Sequence, residues 1–300
     1  MTEAARGHLA MLTFSALVAG SFSLGSMAAP HIAPEVLNTL RFALAGTVLG
    51  TLIALRGGIP PAAWHAPWRY FVLAGLFTAY FVLMFEGLKT GAPVPMAAVF
   101  TLTPVMAAGF GWMLVRQRTT LRMALALAFG GAGALWVIFR ADIEALLAFR
   151  VGRGEVIYFI GCISHAIYAP MVRKLNRGEP PLVFTFGTVV AGTLILLAYA
   201  WPRLWTTDWA ALPSIVWVAI VYTALFASAA TFVLLQYAAM RLPSAKVMAY
   251  TYLTPSWVIL SEAALGRGWP PAAVLGGVAL TVLALALLLK DDAPVTGKTG

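Results

Sequence analysis

Apolar runs of about 20 residues recur ten times along the chain, each bounded by Pro, Gly or a small cluster of charge. A helix rises 1.5 Å per residue, so a run of about 20 crosses roughly 30 Å of hydrocarbon. Membrane-spanning strands would give shorter, alternating segments, and these runs do not alternate. The composition agrees, because 61% of residues are hydrophobic and only 10% charged, where soluble domains carry roughly a quarter charged. The expected fold is therefore all-α integral membrane, with ten transmembrane helices near 8–26, 34–55, 67–89, 92–115, 120–139, 154–174, 180–201, 212–238, 242–265 and 269–290. The first run is short enough for a secretion signal. Nine similar runs follow it, so it reads as the first helix.

A net charge of +9 could point to nucleic acid, yet the basic residues sit one to three at a time between apolar runs. With an even number of spans both termini share a side. Thirteen of the 20 Lys and Arg then fall on the N-terminal side, six on the other and Arg41 within a span. Positive charge collects on the cytoplasmic side, which predicts cytoplasmic termini and no nucleic-acid partner. Cys162 is the only cysteine and lies in an apolar run, so neither a disulfide nor a thiol metal site is expected.

The two halves match each other. Residues 79–116 lie over 230–267 at an offset of 151, pairing Phe81-Val82-Leu83 with Phe232-Val233-Leu234 and Leu102-Thr103-Pro104 with Leu253-Thr254-Pro255. Earlier, Ala45-Gly46-Thr47 pairs with Ala191-Gly192-Thr193 at an offset of 146. Five helices are an odd number, so the second unit must enter the membrane from the opposite side. The reading is two inverted five-helix repeats, residues 1–139 and 154–290, joined by an outer loop at 140–153 and followed by a polar, disordered cytoplasmic tail at 291–300. Inverted repeats are common among secondary transporters, which place their substrate near the midplane between the halves.

Pro104 and Pro255 fall halfway along the fourth and ninth spans. Each removes an amide donor and would leave the carbonyl of Phe100 or Thr251 unpaired, open to a substrate; the alternative is a kink that serves packing alone. Ionisable groups within hydrocarbon are costly and tend to face an interior. Arg41 either binds a carboxylate or snorkels and pairs with a helix end. Glu86 and Glu262, near the outer ends of the third and ninth spans, are candidates for proton coupling or are simply solvated. His165 is the deepest titratable group and shares a helical face with Tyr168; the pair either lines a cavity or bonds a neighbouring helix. Gln236, Tyr80, Tyr250, Tyr252 and Trp257 complete the candidate substrate-binding set. Trp201, Trp205, Trp209 and Trp217 are read as interfacial anchors, and the run of glycines at Gly130, Gly131 and Gly133 as close packing. No zinc, nucleophile-elbow, P-loop or dinucleotide motif is present, so no catalytic residue, cofactor or metal is expected.

This arrangement resembles the drug/metabolite transporter superfamily, in particular proteins with tandem EamA domains. Leu40-Arg41-Phe42-Ala43 looks like that family's Arg-Phe signature, and the segments from Lys89-Thr90-Gly91-Ala92 to Leu102-Thr103-Pro104 and from Ala245 to Leu253-Thr254-Pro255 look like its third-to-fourth and eighth-to-ninth hairpins. Where many relatives carry Trp-Gly in the first helix, this chain reads Ala19-Gly20-Ser21-Phe22, and where many end the ninth with Leu-Gly-Glu it reads Leu265-Gly266-Arg267. The pattern looks closest to the aromatic amino-acid exporters called YddG. The resemblance implies a bacterial inner-membrane exporter of amino acids or similar small metabolites, with spans 1, 3, 4, 6, 8 and 9 around the cavity. An exporter of lipophilic cations, a membrane-embedded enzyme and a passive channel are the alternatives.

Overall fold

The computed structural model describes residues 3–148 and 151–289, and among them every regular element is helical. Helices α1 (Glu3–Ala28), α2 (Pro34–Leu55) and α3 (Trp68–Leu88) are continuous. The fourth crossing is split into α4 (Pro93–Phe100) and α5 (Thr103–Val115), and α6 (Leu121–Ile138) completes the first five. A short α7 (Ile143–Leu147) lies in the connection expected to be loop, where the Asp142 carboxylate accepts from the Ala145 N–H and caps it. The second half holds α8 (Arg153–Leu175), α9 (Pro181–Thr206), α10 (Ser214–Ala224), α11 (Thr231–Ala239), α12 (Ser244–Ala249), α13 (Thr254–Ala264) and α14 (Ala272–Leu289). A π-helical segment, Leu225–Ala230, joins α10 to α11, and a 3-10 turn, Tyr250–Leu253, joins α12 to α13.

Nine stretches among the described residues are long and apolar enough to cross a membrane. The interrupted stretch α12–α13 makes up the ten expected. The chain is a multi-pass membrane protein. Proline at the first helical turn, where its missing N–H costs nothing, starts α2, α4 and α9. Two limits differ from expectation. Helix α1 starts at Glu3, and α9 runs to Thr206 because Pro202 falls so near its end that few helical bonds are lost. The tail at 291–300 lies outside the described residues.

Contacts at helix ends fix the alternation of direction. The start of α3 meets the end of α8 where Arg69 donates to the Leu175 carbonyl, while the end of α3 meets the start of α8 at Gly87 and Gly154. The start of α1 meets the end of α11 through Glu3 and Arg241. Numbering the crossings one to ten, the pairs 3–6 and 1–8 pack against each other, as do 4–6 and 1–9, and 2–8 and 3–7. Exchanging the two halves turns each pair into its companion, while 2–7, 4–9 and 5–10 map onto themselves. That is a pseudo-two-fold, and with five crossings per half it relates inverted repeats.

Small residues set the closest crossings, since helices in lipid associate by packing rather than by expulsion of water. A Cβ on Gly133 of α6 would lie 2.6 Å from the Gly277 carbonyl of α14, and one on Gly277 would lie 2.7 Å from the Gly133 carbonyl. Gly130 similarly leaves room for the ring of Tyr252.

Candidate substrate site

The two proline-marked breaks meet at the 4–9 crossing. The expectation that they leave the carbonyls of Phe100 and Thr251 free is overturned. The Thr103 hydroxyl donates to the Phe100 carbonyl (2.6 Å), and the Thr254 N–H, which closes the 3-10 turn, satisfies that of Thr251. Thr103 and Thr251 hydroxyls then lie 3.2 Å apart. With the Thr103 proton already committed, Thr251 is the donor. Pro104 and Pro255 each stand in the first turn of the new helix, α5 and α13. The Leu-Thr-Pro segment of the first half is therefore joined through Thr103 to Thr251, three residues before Thr254 of the second.

Between α1, α3, α8 and the segment from Ala227 to Phe232 lies a cavity of about 10 Å³, on the order of one water. Its walls are aromatic, with Phe14, Phe77, Tyr80, Phe81, Phe232 and His165 contributing rings. Phe81 and Phe232, repeat partners at the offset of 151, stack with centroids 5.5 Å apart, so the pseudo-two-fold passes close to the cavity. Phe77 stacks on Tyr168 at 4.0 Å and on His165 at 5.6 Å, and Tyr80 lies 4.4 Å from His165. Polar atoms interrupt this wall. Ser21 Oγ, Thr231 Oγ1 and His165 Nδ1 belong to lining residues and are buried without a hydrogen-bond partner. Leaving such a group unsatisfied costs about 1–3 kcal/mol, so three around one cavity mark a place where a polar ligand would find partners.

Arg41 stands immediately behind this wall. It is fully buried, its Nε donates to Ser228 Oγ (2.5 Å), and its Nη2 donates to the Ala227 carbonyl (2.5 Å), both in the π-helical segment. Its guanidinium lies 3.8 Å over the ring of Phe81, a cation–π contact. Ala227 and Phe81 both line the cavity. Nη1 has no partner, and among the described residues no carboxylate pairs with Arg41. Arg41 does not reach the interface as a snorkelling side chain would. At the offset of 146 its counterpart in α9 is Gly187, where a Cβ would lie 2.8 Å from the Tyr70 ring. The cation thus belongs to one half only.

The candidates divide into two groups. His165, Tyr168, Tyr80 and Gln236 come together, with Gln236 Nε2 donating to the Tyr168 hydroxyl (2.9 Å) and the hydroxyls of Tyr80 and Tyr158 hydrogen-bonded to each other (2.9 Å). The remaining aromatic candidates stand apart. Tyr250 bonds His8 (3.1 Å) near the start of α1, Tyr252 is wedged between α6 and α14, and the Trp257 indole donates to Ser15 Oγ (3.2 Å). Neither acid lines the cavity. Glu86 is half-buried and pairs with Lys89, and Glu262 accepts from Arg267. Sequence reasoning passed over Phe14, Phe77, Phe81 and Phe232, because phenylalanine in a span reads equally well as lipid-facing. The duplicated Phe-Val-Leu was the usable signal. It also passed over Ser228, which only the contact with Arg41 singles out.

One polar cluster lies away from the cavity. Arg69 is 1% exposed and pairs with Glu179 (2.5 Å) in the α8–α9 connection, while also donating to the carbonyls of Leu175 and His65. Burial draws the Glu179 carboxyl upward, but the bonds from Arg69 and the Arg177 N–H outweigh it, holding its pKa below the ordinary carboxylate value.

The profile of the EamA-like transporter family matches residues 5–139 and again residues 152–290. This chain belongs to that family. The EamA match spans both halves, and it makes the protein a transporter rather than an enzyme. The uncharacterized transporter YyaM of Bacillus subtilis (strain 168) is 24% identical to it over 276 residues, 90% of each chain. A solved crystal structure at 20% identity superposes with a TM-score of 0.70 over 95% of this chain and 96% of its own, which shows a shared fold. In this EamA protein Arg267, just past the end of α13, donates both to Glu262 (3.2 Å) and to Ser26 of α1 (3.4 Å).

Proposed function

We propose that the protein exports amino acids, aromatic and other neutral ones, or closely related small metabolites, across the bacterial inner membrane by alternating access, with both termini in the cytoplasm. The observation that carries this reading is the small aromatic cavity close to the pseudo-two-fold, with unsatisfied polar atoms from α1, α8 and α11 and a buried guanidinium behind it. Rings accept an apolar side chain, while the polar atoms and the cation suit the charged end of an amino acid. A cavity of about 10 Å³ is far below the few hundred Å³ of an ordinary ligand site. It is therefore read as the occluded form, which must widen to load cargo. The 13 to 6 charge bias supports the orientation.

Export of lipophilic cations would call for an acid in the cavity wall, and none of the described lining residues is acidic. The reading is tested with purified protein in liposomes, following labelled phenylalanine with and without a proton gradient. Saturable uptake is expected, and gradient dependence would reveal coupling. Movement of lipophilic cations without any amino acid would overturn it.

A further inference from the structure

The cavity has a cation behind its wall and no anion within it. Arg41 is completely buried, its Nη1 is unsatisfied, and the groups it does touch, Ser228 Oγ and the Ala227 carbonyl, are neutral. An uncompensated buried charge is costly, and the ordinary remedy is a counter-ion with matching hydrogen bonds. Guanidinium binds carboxylate in preference to neutral acceptors because its planar fork matches the two oxygens. An ammonium would meet only hydroxyls, an imidazole nitrogen and ring faces, with the guanidinium opposing it. Charge balance sharpens the point: a zwitterion leaves the site at a net charge of +1, whereas a monoanion brings it to zero.

We infer that the site recognises a carboxylate joined to an aromatic or similarly apolar body and makes no demand for an α-ammonium, so that aromatic monocarboxylates lacking the amino group are substrates at least as good as the corresponding amino acids. This rests on the same site as the amino-acid reading and narrows what that site reads. As the cavity widens, the ring of Phe81, which touches both the guanidinium face and the cavity, is the side chain whose displacement brings Nη1 within reach of a carboxylate. Ser228 and Ala227 hold the other two nitrogens and fix the fork, which makes Ser228 a positioning residue.

The test compares three labelled probes in liposomes containing the full chain: 3-phenylpropionate, phenylalanine and phenethylamine. The expected result is 3-phenylpropionate transported with a KM no higher than that of phenylalanine, and phenethylamine at least about tenfold weaker than either. Phenylalanine without 3-phenylpropionate would overturn the inference and leave amino-acid export standing. Transport of 3-phenylpropionate alone would uphold the inference and remove amino-acid export. Phenethylamine moving as well as 3-phenylpropionate, or none of the three moving, would overturn the inference. Arg41→Gln is expected to erase the advantage of 3-phenylpropionate over phenethylamine, and Arg41→Lys to restore part of it. The probe series on the unaltered protein decides the matter if either variant fails to fold. Ser228→Ala, which keeps the guanidinium but loosens the fork, is expected to raise KM for 3-phenylpropionate more than it lowers kcat.

Discussion

The pseudo-two-fold relates two helix-end contacts, one on each side of the cavity, that share topology and differ in chemistry; under the alternating-access proposal each is a seal. On the N-terminal side, the start of α1 meets the α11–α12 connection through Glu3, which accepts from Arg241 (2.6 Å) and pairs with Arg6, while Arg241 lies 3.6 Å over the Tyr237 ring and His8 bonds Tyr250. On the far side, the start of α8 meets the α3–α4 connection at glycines, where backbone lies against backbone. A Cβ on Gly154 would lie 2.4 Å from the Gly87 carbonyl and 2.6 Å from the Gly91 nitrogen. Exposed ion pairs are weak and screened by salt, whereas backbone-to-backbone packing tolerates no added volume. One seal is thus adjustable by solution conditions and the other by sequence alone.

Glycine substitution should break the comparison most severely. Gly154→Leu places a side chain where backbone already stands, so far-side closure is expected to fail and transport to fall more than about tenfold, while the N-terminal seal stays intact. The check is labelling of an engineered cysteine at Ser21 in a Cys162→Ser background. Permanent access from the far side is expected, and unaltered labelling would show that the glycine contact is not a seal.

A buried pair stands on the N-terminal side as well, and it separates scaffold from seal. Removing one partner of a buried ion pair costs about 3–5 kcal/mol, so Arg69→Met or Glu179→Gln should lower unfolding stability by about that much with little change in the sidedness of labelling. Glu179 sits below its ordinary pKa of 4.5. Its contribution is therefore complete above that ordinary value and is lost as pH falls through the lower, folded one. Unfolding followed against pH should show an acid-side loss in the native protein that Glu179→Gln lacks.

Arg241→Gln gives the smallest effect. Cavity access from the N-terminal side should rise less than about threefold. High salt should reproduce much of that rise in the unaltered protein and add little to the variant. A large, salt-independent change would make the two seals alike.

The sequence made the crossings, the repeats and the deep residues legible, because span length, charge bias and the paired Leu-Thr-Pro segments are local or periodic signals. His165, Tyr168, Tyr80 and Gln236 could be picked because a polar group in hydrocarbon needs a reason. Contacts between distant segments were not legible. Whether Phe81 faces lipid or cavity, whether Arg41 meets a carboxylate or the π-helical segment, and whether Thr103 or a ligand satisfies the Phe100 carbonyl all depend on how the halves dock. Tyr252 shows the converse, since an aromatic near mid-span serves packing against Gly130 rather than the cavity.

The central claim is that one occluded site opens to each side in turn. Thr231, a cavity-lining residue of α11 with an unsatisfied hydroxyl, is the place to test it, by labelling Thr231→Cys in a Cys162→Ser background with impermeant reagents applied from one side at a time. The account predicts labelling from either side alone, mutually exclusive within single molecules and suppressed by saturating phenylalanine or 3-phenylpropionate. Simultaneous access from both sides, or labelling indifferent to both compounds, would contradict it.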